Sequence, residues 1–167
     1  FRSSIEGLGI KVEPYVTQSN GSIISIKETI DCPIKTALSG PSAGVIAAAY
    51  IGRQCEADKI ITFDMGGTSA DISLIENYTP QVSNERLVEG YPARIPMINI
   101  ITIGAGGGSI AKIDEGGALK VGPKSAGATP GPACYMRGGE NPCVTDANIV
   151  LGKLNQKKIL GGRMDVD

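Results

Sequence analysis

Apolar residues in this chain come in short runs broken by glycine, and the clearest example is residues 60–75, IITFDMGGTSADISLI. Ile60-Ile61-Thr62-Phe63 and the alternating Ile72-Ser73-Leu74-Ile75 flank Gly66-Gly67. Two β-branched runs around a glycine pair predict a strand, a tight turn and a second strand, with the glycines at the tip. Upstream, Phe1, Ile5 and Leu8 stand at helical spacing and stop at Gly9, which suits the end of a helix. Residues 11–18 alternate as a strand, Ser19-Asn20-Gly21-Ser22 is a turn, and Ile23-Ile24-Ser25-Ile26 is a further strand. After Pro33 a short extended piece leads to Ser39-Gly40-Pro41-Ser42-Ala43-Gly44. Pro41 fits the first helical position, with Gly40 or Ser39 as cap, and residues 45–51 are apolar nearly all round, so a buried helix is expected. The loop 54–58 returns the chain to the central hairpin, and a helix followed by a strand implies a covered sheet.

Beyond the hairpin, residues 81–88 extend the sheet, Tyr91-Pro92 and Ile95-Pro96 break it into a loop, and residues 97–103 resume as a strand. That strand runs into Gly104-Ala105-Gly106-Gly107-Gly108-Ser109, the densest glycine cluster in the chain. Residues 110–114 and 118–121 then form a hairpin about Asp114-Glu115-Gly116-Gly117. Residues 122–139, GPKSAGATPGPACYMRGG, hold too many Gly, Pro and small residues for regular structure but lack the polarity of a linker. An ordered loop built round a site is expected. Val144-Thr145-Asp146-Ala147 starts a helix through Leu151, with Thr145 as cap and Gly152 near its end, and Gly161-Gly162 closes a polar tail. The pattern sums to an α/β domain, bordering on α+β, with a mixed sheet flanked by helices. At 167 residues it is one domain or a compact pair of subdomains.

Composition narrows the chemistry more than the fold. Apolar residues make up 41% and charged ones 20%, with a formal net charge of −1 and no run of like charge. No electrostatic footprint for nucleic acid or an anionic membrane results, and a small ligand is expected. No apolar stretch reaches membrane-spanning length and no leader-like segment opens the chain, so it reads as soluble and cytoplasmic. Cys32, Cys55, Cys134 and Cys143 are widely spaced without a CxxC pair, and reduced thiols are expected. There is no histidine. A Ser-His-Asp triad, a Cys-His pair or a histidine-ligated metal therefore cannot be assembled within these residues, and acid–base work falls to carboxylates, lysine, tyrosine, thiols or metal-bound water.

Two stretches carry candidate chemistry, and a third surrounds it. At the central turn, backbone N–H groups at Gly66 and Gly67 with the Thr68 hydroxyl, followed by that of Ser69, can surround a phosphate. Asp64 and Asp71 are placed to hold Mg²⁺ or orient a water. The alternative is a plain solvent hairpin. The start of the 45–51 helix, edged with small residues, is a second phosphate candidate, against close packing as its alternative. Gly104, Gly106, Gly107, Gly108 and Ser109 do not form a dinucleotide fingerprint, because residues 110–114 alternate like a strand and Ser109 stands where the last glycine or alanine belongs. Backbone this bare suits lying flat against a nucleotide or packing tightly under a ligand; the alternative is a flexible hairpin loop. In the 122–139 loop Lys124, Ser125, Tyr135 and Arg137 are possible ligand contacts, unless the loop merely packs across the core with Cys134 inside.

The blocks SGPSAG, FDMGGTSAD, TIGAGGGSIA, VGPKSAGATPGPACY and VTDANIVLGKL, in this order over residues 39–154, resemble the hydantoinase/oxoprolinase family, which includes N-methylhydantoinase, 5-oxoprolinase and acetone carboxylase subunits. QSNGS at residues 18–22 resembles that family's Ser-Asn-Gly-Gly with serine in the last place. The resemblance implies an actin-like, sugar-kinase-like (ribonuclease H-like) ATPase fold, in which two related domains close on ATP and each offers an acidic glycine hairpin to the phosphates. FDMGGTSAD is similar to the second such hairpin, and no other Asp-x-Gly-Gly-Thr string occurs. The chain is therefore expected to be a central-domain piece, cut at both ends, whose partner is the N-terminal domain of its own parent. A second subunit or domain of a hydantoinase complex is a further expected partner.

What the resemblance implies for chemistry is an ATP- and Mg²⁺-dependent hydrolase opening a cyclic amide, a hydantoin or 5-oxoproline, in which ATP phosphorylates the amide oxygen to activate the carbonyl. Asp64 would orient Mg²⁺ or water, Gly66, Gly67 and Thr68 would hold phosphate, Asp71 would assist the metal, and Gly104 to Ser109 would pack near the nucleotide. Two departures stand out. The usual Asp-x-His-Thr before the glycine block is Asn99-Ile100-Ile101-Thr102, and the usual Thr-Asp closing the hairpin is Ala70-Asp71. The phosphate role survives these better than the substrate role. Alternatives are an acetone carboxylase-like subunit and a non-catalytic nucleotide-binding or assembly module.

Overall fold

The computed structural model describes residues 2–88, 90–164 and 166–167, so Phe1, the first position of the expected amino-terminal helix, lies outside the described residues. The chain divides into two compact units, Phe1–Thr62 with Ile72–Ile101 and Phe63–Asp71 with Thr102–Asp167.

In the first unit α1 (Arg2–Gly7) precedes β1 (Tyr15–Thr17) and β2 (Ile23–Ser25), which pair antiparallel with Val16 opposite Ile24. α2 (Ile26–Asp31) and a 3₁₀ turn at Pro33–Thr36 lead to α3 (Ser39–Gln54), the longest helix. Then come β3 (Lys59–Met65), β4 (Ala70–Glu76), β5 (Thr79–Pro80), β6 (Val82–Ser83), β7 (Arg86–Val88), β8 (Tyr91–Ala93), β9 (Met97–Ile98) and β10 (Ile100–Ile103). The main sheet has the order β10-β4-β3 with β5 on β4, while β6 pairs β9 and β7 pairs β8. One helix face supplies the core of this unit: Val45 and Ala49 pack with Ile75, Ile98 and Ile100, flanked by Ala48 and Ile60. Ile60 faces that cluster and Ile61 is exposed, the period-two alternation of a strand.

A polar pin ties the early turn to this core. The Ser42 hydroxyl, fully buried, has its single proton within reach of the carbonyls of both Ser19 (2.9 Å) and Leu38 (2.8 Å). Ser19 donates from its own hydroxyl to the Lys35 carbonyl (2.7 Å), and its carbonyl accepts the Ile98 N–H (2.8 Å). Buried hydroxyls are tolerated because each has an acceptor. The serines of QSNGS and SGPSAG thus meet in the interior.

Several local expectations are corrected. The expected strand at residues 23–26 is present as β2 but ends at Ser25, because Ser25 and Glu28 form a reciprocal capping box that starts α2 at Ile26. Residues 33–36 curl into the 3₁₀ turn instead of extending. α3 starts at Ser39 with left-handed Leu38 at its cap position, and it is not buried all round: Tyr50 and Ile51 are exposed. Tyr91 and Pro92 belong to β8, where Pro92 costs nothing in a two-stranded ribbon. The 97–103 strand is interrupted at Asn99, whose N–H donates to the Gln81 carbonyl and whose carbonyl accepts from the Ser73 hydroxyl.

In the second unit β11 (Ser109–Ile113) pairs antiparallel with β12 (Leu119–Ser125), with a register shift between Ser109 and Ala111. A 3₁₀ turn at Ala133–Tyr135, α4 (Val144–Val150) and a second 3₁₀ turn at Gln156–Gly161 follow. β12 therefore runs into the segment expected to be irregular. α4 is capped by Cys143, not Thr145, because the Thr145 hydroxyl is used elsewhere. Among the described residues no helix is long and apolar enough to cross a membrane.

All four cysteines are free, Cys55 exposed, Cys32 half-buried, Cys134 and Cys143 buried. Thiol titration of denatured, unreduced protein is expected to find four. In the native protein a maleimide should modify Cys55 first and Cys134 and Cys143 last; rapid labelling of the latter two would contradict their burial.

Candidate functional site

The hairpin between β3 and β4 is closed by one hydrogen bond, from the Gly66 N–H to the Ser69 carbonyl (2.9 Å). Neither Gly66 nor Gly67 adopts the left-handed conformation that tight glycine turns often use. Their lack of a side chain serves space instead. A Cβ on Gly67 would meet nothing within 4 Å, so the tip is open there.

Below the tip, the glycine block packs backbone against backbone. Gly107 N–H donates to the Gly66 carbonyl (2.9 Å) and Gly108 N–H to the Gly67 carbonyl (2.6 Å). A Cβ on Gly106 would lie 2.6 Å from the Ser69 nitrogen and 2.7 Å from the Gly66 oxygen. On its far side the block is held as firmly. The Gly107 carbonyl accepts from both the N–H and the hydroxyl of Thr145 (2.8 Å each), and the Gly108 carbonyl accepts the Ala126 N–H (2.8 Å). Ser109 is fully buried, its hydroxyl accepting the Gly106 N–H (2.8 Å). The block is a rigid spacer under the turn and not a flexible loop.

This packing sorts the expected site residues. Gly66, Gly67, Thr68, Gly107 and Gly108 line one cleft of about 650 Å³, together with Ser125, Tyr135, Arg137, Thr145 and Asn148 and an apolar wall that includes Pro132, Leu154 and Met164. Ser69, Gly104, Gly106 and Ser109 are not among its lining residues. The N–H groups of Gly66, Gly107 and Gly108 are consumed within the protein, whereas among the described residues those of Gly67 and Thr68 have no backbone acceptor. Asp64 is exposed near the end of β3. Asp71 is half-buried and accepts a hydrogen bond from the Thr102 hydroxyl (2.6 Å). Among the described residues no cluster of three or more His, Cys, Asp and Glu could enclose a metal ion. Of the loop residues proposed as contacts, Ser125, Tyr135 and Arg137 reach the cleft, and Lys124 faces a separate hollow near Gly139 and Glu140. Thr145 and Asn148 were missed; the helical spacing of residues 145 and 148 put both on one face, which was the available signal.

Asp146 ties the cleft wall together. Its carboxylate accepts the N–H groups of Cys134 (2.8 Å), Cys143 (2.6 Å) and Ala133 (3.4 Å). Burial pushes its pKa up, but the Cys134 thiol and these three N–H groups outweigh that and hold it below the ordinary carboxylate value. Burial, with a hydrogen bond to Asp146, pushes the Cys134 thiol up to about 12, and burial followed by the Asp146 charge raises Cys143.

The frame that carries this cleft, helices on antiparallel sheets, is of the actin-like α/β class. The chain belongs to the hydantoinase/oxoprolinase family, whose model matches residues 1–167. It is 46% identical to an uncharacterised protein of Methanocaldococcus jannaschii, over 94% of this chain and 25% of that protein. It is 42% identical to the caprolactamase alpha subunit of Pseudomonas jessenii, over 94% of this chain and 23% of that subunit. The nucleotide-free structure of acetone carboxylase superposes on 99% of this chain and 23% of its own, with a TM-score of 0.82 and 32% identity. The chain thus spans about a quarter of the length of these two relatives.

Gly106→Ala is expected to destabilise the protein by on the order of 1–3 kcal/mol, since the atoms it strikes are backbone and cannot swing away. Gly44→Ala, in open space on α3, should instead gain up to about 1 kcal/mol from helix propensity. Chemical denaturation of the two variants checks both.

The Asp146 carboxylate, with its folded pKa below the ordinary 3.8, contributes stability that is present above that pH and lost as pH falls through the lowered value. Cys134 works at the other end: its contribution is full below the ordinary 9.0 and fades as pH rises toward about 12. Denaturation midpoints against pH should show an acid limb that Asp146→Asn flattens and an alkaline limb that Cys134→Ala flattens.

Proposed function

We propose that this chain is the nucleotide-holding part of an ATP-dependent enzyme that opens a cyclic amide of the hydantoin, 5-oxoproline or lactam type. The observation that carries the reading is the open tip at Gly67 and Thr68, facing a cleft whose other wall is apolar. The residues fit a nucleotide. About 650 Å³ is within the range of small-molecule sites, roughly 300–1,000 Å³. The Gly67 and Thr68 N–H groups and the Thr68 hydroxyl suit phosphate oxygens, and the wall at Pro132, Leu154 and Met164 suits a base.

Mg²⁺ is usually held by one or two carboxylates with water and phosphate completing its shell, and Asp64 and Asp71, which flank the turn without lining the cleft, are the acids nearest in sequence to it. Asp64 would hold the ion, and the Asp71 oxygen not bonded to Thr102 would assist it. ATP, when bound, supplies the phosphoryl group that activates the amide carbonyl. The chain's own work would be to hold the phosphates against a turn braced by the glycine block, with Asp64 at the end of β3 beside that turn. The rigid glycine spacer makes this preorganisation possible. Cytoplasmic location, a second subunit and pairing with a further domain of the same polypeptide belong to the same reading.

A second reading is supported by the likeness to acetone carboxylase: the same ATP chemistry could serve carboxylation of a ketone. Assays of the full-length protein with cyclic amides, and separately with ketone and bicarbonate, separate the two.

In the full-length protein Asp64→Asn keeps the size and removes the charge, and turnover should fall about a hundredfold or more, in the range lost when one electrostatic group leaves a site. Nucleotide affinity should change less. Gly67→Ala, which meets no protein atom, should leave the melting temperature unchanged and weaken Mg-ATP binding. By itself this chain should bind Mg-ATP weakly and hydrolyse none, because contacts made in water are worth little. Calorimetry and steady-state ATPase assays test these together; an Asp64→Asn protein as active as wild type would falsify the assignment.

A further inference from the structure

Among the described residues lining the cleft, Arg137 is the one that carries a formal charge. We infer that its guanidinium recognises the anionic end of the ligand, pairing with a phosphoryl oxygen; the inference rests on the nucleotide reading above and names the side chain that would make the cleft selective for charge.

Three observations converge on it. Arg137 is exposed, and the ion pairs found among the described residues, Arg2 with Glu6 and Glu13, Arg94 with Glu85 and Lys120 with Asp114, do not involve it. The other polar side chains on the cleft, Thr68, Ser125, Tyr135, Thr145 and Asn148, are neutral, so an anion in the cleft finds its compensating charge at Arg137 or not at all. A fork of fixed donors suits a phosphoryl group better than a point charge does.

The third observation is the backbone that presents it. Met136, directly before Arg137, sits in the left-handed region at φ 56° and ψ 30°, although it is not glycine and is exposed. Such a conformation costs about 1–2 kcal/mol and persists only when its surroundings hold it. Here they do. The 3₁₀ turn ending at Tyr135 is tied through the Ala133 and Cys134 N–H groups to Asp146, and the Met136 N–H donates to the Ala133 carbonyl (3.1 Å). The neighbour of Asp146 on α4, Thr145, is bonded to the glycine block. The arm bearing Arg137 and the spacer bearing the phosphate turn therefore hang from adjacent residues of one helix, which fixes the backbone at Arg137 relative to Gly67 and Thr68.

The test uses the full-length protein and three probes, Mg-ATP, tripolyphosphate and adenosine, titrated by calorimetry at low and high salt against wild type, Arg137→Gln and Arg137→Lys. Loss of one charge-assisted pair should weaken ATP and tripolyphosphate about 10- to 100-fold in Arg137→Gln and reduce their salt dependence, while adenosine binds as before. Arg137→Lys should recover only part of the loss, because the ammonium lacks the fork. Wild type and Arg137→Gln binding ATP equally would overturn the role of Arg137 and leave the nucleotide reading standing. Equal weakening of adenosine and ATP with a lowered melting temperature would assign Arg137 a structural role and overturn the inference. Wild type binding none of the three would overturn both.

Discussion

The second unit depends on a place where there is no room for a side chain. Gly106, Gly107 and Gly108 lie between the turn at Gly66 and Gly67 and the start of α4, and their peptide groups bond in both directions. Backbone hydrogen bonds at this spacing require the two chains to approach as closely as neighbouring strands, which a single Cβ prevents. Because the spacer is rigid, the turn's own carbonyls are satisfied from below and its remaining N–H groups are left to face the cleft. A loop that had to order itself around a ligand would subtract that cost from affinity.

α4 is short, seven residues, yet three features of the cleft hang from it. Thr145 spends its hydroxyl on the glycine spacer and not on capping, Asp146 gathers the Ala133–Tyr135 turn, and Asn148 faces the cleft. The half-buried Asp146 carboxylate is stable as an anion because backbone donors surround it. Local helix propensity would not hold a helix this short. Its tertiary bonds do, and they in turn place the site.

The hairpin at residues 60–75 was legible in the sequence because β-branched runs around Gly-Gly state strand and turn directly. The family and its actin-like α/β class were legible for another reason: five blocks in fixed order say more than any periodicity. What misled was local pattern in competition with capping. Ser25 and Glu28 start a helix at the last residue of the expected strand, and Thr145 had the identity of a cap but a better acceptor in the Gly107 carbonyl. The glycine block was recognised as bare backbone, but which partner it approaches could not be read from the sequence: a glycine that admits a ligand and one that admits another peptide look alike. Gly67 and Gly106 are now distinguished, the first open and the second closed.

The same distinction bears on the two departures from the family's usual sequence. Asn99 is fixed through its main chain, to Gln81 and Ser73, and its side chain is exposed, as is Ile101. Neither lines the cleft. Thr102, the last residue of the same four and the one kept from the usual pattern, binds Asp71. A change that had dismantled the phosphate site would be expected to spare neither Thr102 nor the glycines behind it. Asn99 and Ile101 are therefore replacements outside the cleft, and they leave its lining at Gly67, Thr68, Gly107 and Gly108 untouched.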